Sequence, residues 1–326
     1  MSLLAALWGA SYLFIKVSLE DGLDPIFIVF ARIALGAIVL VAIAVRAGIL
    51  AQMRPLLGPI LVLAVVQVVL PFALITYGEQ HISSALTGIL VSAAPIFTAL
   101  IAVRFDDDER PHGIATAGVV MGMVGVVLLF GFALTGDAKA LAGGLMVLLA
   151  AVGYAAGSLY LKHRVRGVAP VGVAAATMLA GTAVLLPFAL FTLPAEMPEL
   201  QTIGAMLALG AGGTGIAFAI YFTLIAEIGP GRASLVAYIA PGFAVIYGVA
   251  LLDESFTVAT AAGLLLIVSG SWLAAEGRAP WRRRTSATDG ELAAGGIDVA
   301  PAGEPHGGGD PGADERALEG VDRLPA

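Results

Sequence analysis

Ala85-Leu86-Thr87-Gly88-Ile89-Leu90-Val91-Ser92-Ala93-Ala94-Pro95 opens an apolar run, which gives way to an acidic break and then to a second apolar run. Roughly 146 positions later, Gly231-Arg232-Ala233-Ser234-Leu235-Val236-Ala237-Tyr238-Ile239-Ala240-Pro241 does the same. The acidic breaks correspond, Asp106-Asp107-Asp108-Glu109 against Asp253-Glu254, and Gly118 and Gly125 fall opposite Gly263 and Gly270 with a one-residue gap. A stretch written twice at this separation predicts an internally duplicated chain.

The composition says what kind of chain was duplicated. Of 326 residues, 59% are hydrophobic and 13% charged, proportions that water-soluble domains rarely show. Runs of about 20 apolar residues are long enough to cross a bilayer as helices. Ten such runs are present, at 3–19, 25–45, 57–77, 84–103, 112–131, 141–161, 170–190, 201–227, 233–252 and 258–275. Strict apolar–polar alternation is absent, which excludes a membrane β-barrel. The expected fold is therefore an all-α integral membrane protein.

Charge placement sets the sidedness. With the N-terminus in the cytoplasm, Arg46, Arg54, Arg104, Arg110, Lys162, Arg164, Arg166 and Arg232 fall in inner loops, and Arg278 with Arg282, Arg283 and Arg284 follows the last span. Outer loops hold only Lys139. That asymmetry fits the excess of basic residues on the cytoplasmic side of membrane proteins. Both termini are then cytoplasmic, and five spans per copy put the two copies upside down relative to each other. Residues 1–131 are expected to form the first five-helix repeat and 132–276 the second.

The net charge of −7 belongs to the end of the chain. Residues 1–284 carry 15 basic and 15 acidic side chains, and the remainder two and nine. Residues 277–326 are expected to be a disordered, acidic, Gly/Pro-rich cytoplasmic tail that opens with Trp281 and three arginines as a juxtamembrane anchor. Deleting the tail from Thr285 on is expected to leave function intact. No cleavable signal peptide is expected, because the N-terminus has no basic region before its first apolar run. No basic stripe suggests nucleic acid. The absence of cysteine excludes disulfides, thiolate metal sites and thiol catalysis.

Leu7-Trp8-Gly9-Ala10-Ser11-Tyr12 with Lys16, then Pro25 and Arg32, resembles the first two helices of the EamA-type family of the drug/metabolite transporter superfamily. The helix ending at Tyr77 and the small-residue helix through Pro95 are similar to that family's third and fourth. Leu149-Ala150-Ala151-Val152-Gly153-Tyr154-Ala155 restarts the pattern, with Tyr154 at the place of Trp8 and Pro170 at that of Pro25. The resemblance implies ten transmembrane helices as a 5+5 inverted-topology repeat in the cell membrane. It also implies a secondary carrier of a small metabolite or amino acid, with export the expected direction and no cofactor. One departure stands out: Thr177 occupies the second-half position of Arg32.

Candidate residues follow from what a bilayer tolerates. Arg32 sits about 10 Å into its helix, where a charge costs at least ~2.5 kcal/mol. It should face a cavity, with an anionic substrate as one partner, or else hold backbone carbonyls between helices. Lys16 has Glu20 four residues on, so a helix pair and snorkelling account for it. Glu79 and Glu227 close their spans, where a protonatable carboxylate would serve proton coupling, although solvated helix ends are the plainer expectation. Trp8, Tyr12, Tyr77, Tyr154, Tyr221, Tyr238 and Tyr247 offer aromatic surface with polar tips. Gln67, Thr87 and Ser92 are polar groups inside apolar spans that need partners. The substrate-binding set expected from these is Trp8, Tyr12, Arg32, Gln67, Tyr77, Ser92, Tyr154, Tyr221 and Tyr238. Pro95 and Pro241 recur at matching mid-helix places and are expected to act as fixed bends or hinges.

Two other function classes are disfavoured. Gly210-Ala211-Gly212-Gly213-Thr214-Gly215 matches a nucleotide fingerprint in form, but it lies inside a membrane span rather than after a strand. Close helix approach is the better reading there, as for Gly118 and Gly122. Asp106–Asp108 lacks a second acidic cluster on the same face, which argues against a metal-dependent membrane enzyme. A non-transporting scaffold would need a folded soluble part, and only the tail is available for one.

Overall fold

The structure, a computed structural model, describes residues 1–106, 110–133, 136–165 and 167–276. Asp107, Asp108, Arg166 and the whole expected tail with its arginine anchor lie outside the described residues. Among the described residues all regular structure is helical. The spans are α1 (Ser2–Glu20), α2 (Pro25–Arg46), α3 (Leu50–Glu79), α4 (Ser84–Phe105), α5 (Ile114–Gly131), α6 (Ala138–Arg164), α7 (Pro170–Ala189), α8 (Leu200–Ile228), α9 (Val236–Leu251) and α10 (Val258–Ala275).

Nine of these are long and apolar enough to cross a membrane; α9, with 16 residues, is shorter than that. The difference from the ten full-length spans expected has a local cause. Gly229-Pro230-Gly231 breaks the chain after α8, and α9 starts properly only at Val236, behind one short helical turn at Pro230–Ala233.

The helix starts are legible in the residues that make them. Asp24 caps α2 by accepting from the Ile26 amide at 2.7 Å, with Pro25 in the first turn where its missing N–H costs nothing. Asp137 caps α6, accepting from Lys139 N at 2.8 Å. At α4 the Ser83 hydroxyl accepts from Leu86 N, while the Ser84 and Ala85 amides donate to Glu254, a residue from beyond α9. The carboxylate thereby sits on a helix N-terminus, where the partial positive charge favours it.

Besides α5, which ends in a widened turn from Leu129 on, three spans are irregular, each with a cause. In α3, residues Ala64–Val69 form a widened turn with i→i+5 bonding, directly before Pro71, whose nitrogen cannot donate to Gln67. In α8 a similar stretch, Ala208–Ile216, covers the glycine run. In α4 the helix stops at Val91 and restarts at Ala94. There Ile96 N donates to Ala93 O, so the Ser92 carbonyl loses its helical partner and accepts from the Ser271 hydroxyl of α10 at 2.7 Å. The two prolines expected to be alike therefore differ: Pro95 follows a break, whereas Pro241 lies inside unbroken α9.

Packing joins the two halves of the sequence throughout. The principal neighbours are α5 with α10, α2 with α7 and α8, α1 with α9, α3 with α6, and α4 with α6 and α9. Large apolar side chains such as Leu61, Leu100, Val124, Leu149 and Ile246 remain exposed on the outside, as lipid-facing residues would. The glycine run in α8 permits close approach: a Cβ at Gly210 would lie 2.6 Å from Leu35 Cβ and 3.0 Å from Arg32 O.

Candidate functional site

A cavity of about 700 Å³ lies between the helices. Its deep part is walled by Trp8 and Tyr12 of α1, Arg32 of α2, Gln67 and Phe72 of α3, Tyr154 of α6 and Tyr221 of α8. From there it runs to Thr98 of α4, Pro170 at the start of α7, Ser234 before α9 and Ala275 at the end of α10. This is the end of the bundle near Arg104, Arg164 and Arg232. Toward the other end the lining stops at Tyr12, Ile75, Gly88 and Pro241, and the cavity closes.

Of the nine candidate binding residues, eight are brought together here: Trp8, Tyr12, Arg32, Gln67, Ser92, Tyr154, Tyr221 and Tyr238. Pro95 and Pro241 line the same space. Tyr77 does not. It sits two residues from the closed end of α3, points away from the cavity and is 37% exposed. Thr87 is buried and donates its hydroxyl to Ser83 O instead.

Arg32 is 8% exposed and held on two sides. Its Nε donates to Thr214 Oγ1 at 3.1 Å, and its guanidinium carbon stands 3.8 Å over the centre of the Phe72 ring. Thr214 in turn donates to Leu209 O at 3.1 Å, an i→i−5 bond that the widened turn of α8 makes available. Thr214 and Phe72 were not singled out from the sequence. Nothing in an apolar span marks which phenylalanine faces a cavity, and the threonine was hidden in a glycine run. Among the described lining residues Arg32 is the one charge.

The aromatic wall beside it is continuous. Trp8 lies with ring centroids 5.2 Å from Tyr221 and 6.1 Å from Phe218, which neighbours Phe222 at 6.1 Å. Such separations are those of favourable tilted and edge contacts.

At the closed end two sequence expectations are corrected. Lys16 does not pair with Glu20: its ammonium donates to Glu79 O at 3.0 Å and Ile82 O at 3.5 Å, across to the α3–α4 turn. The reach across helices wins because Glu79 O ends a helix and Ile82 O lies in the turn that follows, so neither has a helical donor. Glu79 is not a solvated helix end but fully buried, and neither carboxylate oxygen has a hydrogen-bond partner among the described residues. Packing of α6 against the end of α3 shuts it off, Val147 and Gly143 lying against Gly78. Glu227 is exposed, as a solvated helix end should be. At the open end, Asp106 accepts from Lys162 at 2.9 Å and lies 3.0 Å from His163 Nε2, tying α4 to α6.

With this geometry in place, comparison with known proteins gives a consistent answer. The profile of the EamA-like transporter family matches residues 1–131 and again 141–275. The uncharacterized transporter YoaV of Bacillus subtilis is similar at 26% identity, over 82% of this chain and 92% of its own length. The uncharacterized inner membrane transporter YedA of Escherichia coli is 27% identical over 77% of this chain and 81% of its own. A probable amino-acid metabolite efflux pump of E. coli is 24% identical over 83% and 92%. A protein of known crystal structure shares the fold with a TM-score of 0.58 at 23% identity, covering 83% of this chain and 96% of that one.

Proposed function

The chain belongs to the EamA-like transporter family, and on that premise we propose that it is a secondary carrier exporting a small metabolite or amino acid by alternating access. It is a multi-pass membrane transporter of the plasma membrane. The observation that carries the finer reading is the cavity: one mid-depth chamber between the two halves, reachable from one end and sealed at the other.

The architecture proposed is ten crossings in two inverted repeats, residues 1–131 and 132–276, with 277–326 as a cytoplasmic tail. Three things support it. The family profile matches the chain twice. The helix neighbours exchange in pairs when the halves are swapped, α1–α9 with α4–α6, and α2–α8 with α3–α7. The helical turn at Pro230–Ala233 also lengthens the short α9 toward a full crossing.

Basic residues gather at the open end, which supports a cytoplasmic side there and, with it, both termini on that side. A cytoplasm-facing chamber with a closed outer end is the loading state of an exporter. The binding set is Trp8, Tyr12, Arg32, Gln67, Ser92, Tyr154, Tyr221 and Tyr238, with Pro95 and Pro241 at the moving joints. Proton coupling belongs to the same reading, with the buried Glu79 as its carboxylate.

Purified protein in liposomes, loaded with a mixed metabolite pool and followed for counterflow, tests the proposal. Exchange of a defined solute supports it. Liposomes in which no solute exchanges, or in which solutes are chemically converted without flux, defeat it.

A further inference from the structure

We propose that the solute held in this cavity is an organic monoanion, a small carboxylate with an apolar or aromatic body and no amino group, bound through Arg32. The inference deepens the carrier reading and rests on it.

The first argument is the state of the guanidinium. Thr214 takes Nε and the Phe72 ring covers one face. Among the described residues no hydrogen bond to the two terminal nitrogens is present, and Arg32 borders the cavity. The side chain is thus fixed in plane and direction while its forked edge stays available. That edge matches the two oxygens of a carboxylate.

The second argument is charge balance. No Asp, Glu, Lys or His is among the described lining residues, so within the chamber wall Arg32 has no counter-charge, and the carboxylate acting on it, that of Glu79, lies outside the lining. Burying a charge without a partner is costly. A monoanion entering from the cytoplasm neutralises the site. A zwitterionic amino acid would also satisfy Arg32, but it would bring an ammonium with no carboxylate to receive it. Glu79 does not serve, because it is buried outside the lining, with Lys16 and Glu254 as the charged groups acting on it besides Arg32. The third argument is the wall. Trp8, Phe218, Tyr221 and Phe222 give an apolar surface for the rest of the molecule.

Three matched probes isolate the charge: 3-phenylpropionate, phenylalanine, which is the same molecule with an α-ammonium, and phenethylamine, which lacks the carboxylate. Binding to the purified full-length chain is measured by calorimetry, with short aliphatic and aryl monocarboxylates as competitors. The expected result is binding of 3-phenylpropionate at least tenfold tighter than of phenylalanine, with none of phenethylamine. Arg32→Gln should abolish carboxylate binding, and Arg32→Lys should retain part of it. The wild-type series decides the matter even if the variants fail to insert.

Equal or tighter binding of phenylalanine overturns the proposal, as does absence of binding by every monocarboxylate. Mixed-pool counterflow separates that outcome from failure of the carrier itself. An amino acid or amine that exchanges normally leaves the carrier standing and the anion assignment refuted. Liposomes that exchange nothing refute both.

Discussion

The Lys16 ammonium binds the backbone carbonyl of Glu79 at 3.0 Å and leaves the carboxylate of the same residue buried without a hydrogen-bond partner among the described residues. Lys16 therefore pins the α3–α4 turn through hydrogen bonds and acts on the acid only through space. An unsatisfied buried polar group costs about 1–3 kcal/mol. Glu79→Met keeps the length of the side chain and removes both polar atoms, so it should raise the melting temperature in detergent by several degrees, at about 2–4 °C per kcal/mol. If Glu79 also couples transport to protons, the variant should exchange solute normally yet no longer respond to an imposed pH gradient. A variant that keeps its full gradient response removes Glu79 from the coupling.

Glu254 reaches the closed end of the cavity from the other half of the chain, accepting from Ser84 N at 2.6 Å and Ala85 N at 3.0 Å. Hydrogen bonds to a charged group contribute about 1.5–3 kcal/mol each. Glu254→Gln should weaken both and shift the population toward an outward-open form. The chain has no cysteine, so a single Val91→Cys on the cavity wall reports this directly. A membrane-impermeant thiol reagent added outside should label Val91→Cys at least tenfold faster when Glu254 is replaced. Equal labelling rates would show that the carboxylate does not seal the outer end.

Much of this was legible in the sequence, because a bilayer imposes simple rules. The apolar runs give the spans, and Pro25 and Pro170 stand at the starts of two of them. Arg32 stood out because a charge at that depth needs a reason. What stayed hidden is contact across distant segments. Lys16 has Glu20 at helical spacing, yet it bonds carbonyls more than 60 residues away. Glu79 and Glu227 look alike as last-turn acids, but only packing by α6 separates the buried one from the exposed one. Tyr77 and Tyr154 are equally aromatic, and the rotation of each helix decides which borders the chamber. Periodicity cannot fix that rotation when a span is apolar all round.

The break in α4 links Pro95 to Ser271, whose hydroxyl donates to the Ser92 carbonyl that the break leaves free. Restoring an amide with Pro95→Ala lets the helix close over Ser92 and removes the joint. Initial transport rates should fall about tenfold or more, with insertion unchanged. Ser271→Ala leaves the Ser92 carbonyl without its donor and should cost about 1–3 kcal/mol of stability. Pro241→Ala, inside continuous α9, should have the smaller effect on rate. Equal rates for Pro95→Ala and the wild type would make the break a packing feature alone.

The tightest crossing in the bundle is that of α5 on α10, where a Cβ at Gly118 would stand 2.6 Å from Ala274 N and 2.8 Å from Gly270 O. These contacts are to backbone, which cannot swing aside as a side-chain tip can. In lipid no hydrophobic force pulls helices together, so close backbone approach between small residues supplies much of the association. Gly118→Leu should force the two helices apart and prevent stable folding, seen as loss of a monodisperse peak in detergent. On the same helix a Cβ at Gly131 would meet nothing within 4 Å, so Gly131→Ala should be close to neutral. Gly118 does not itself line the chamber, although its neighbour Ala274 does, so a destabilised variant that does insert with the chamber intact should bind its solute with near wild-type affinity. An altered affinity would mean that the α5–α10 pair moves with the cavity instead of bracing it.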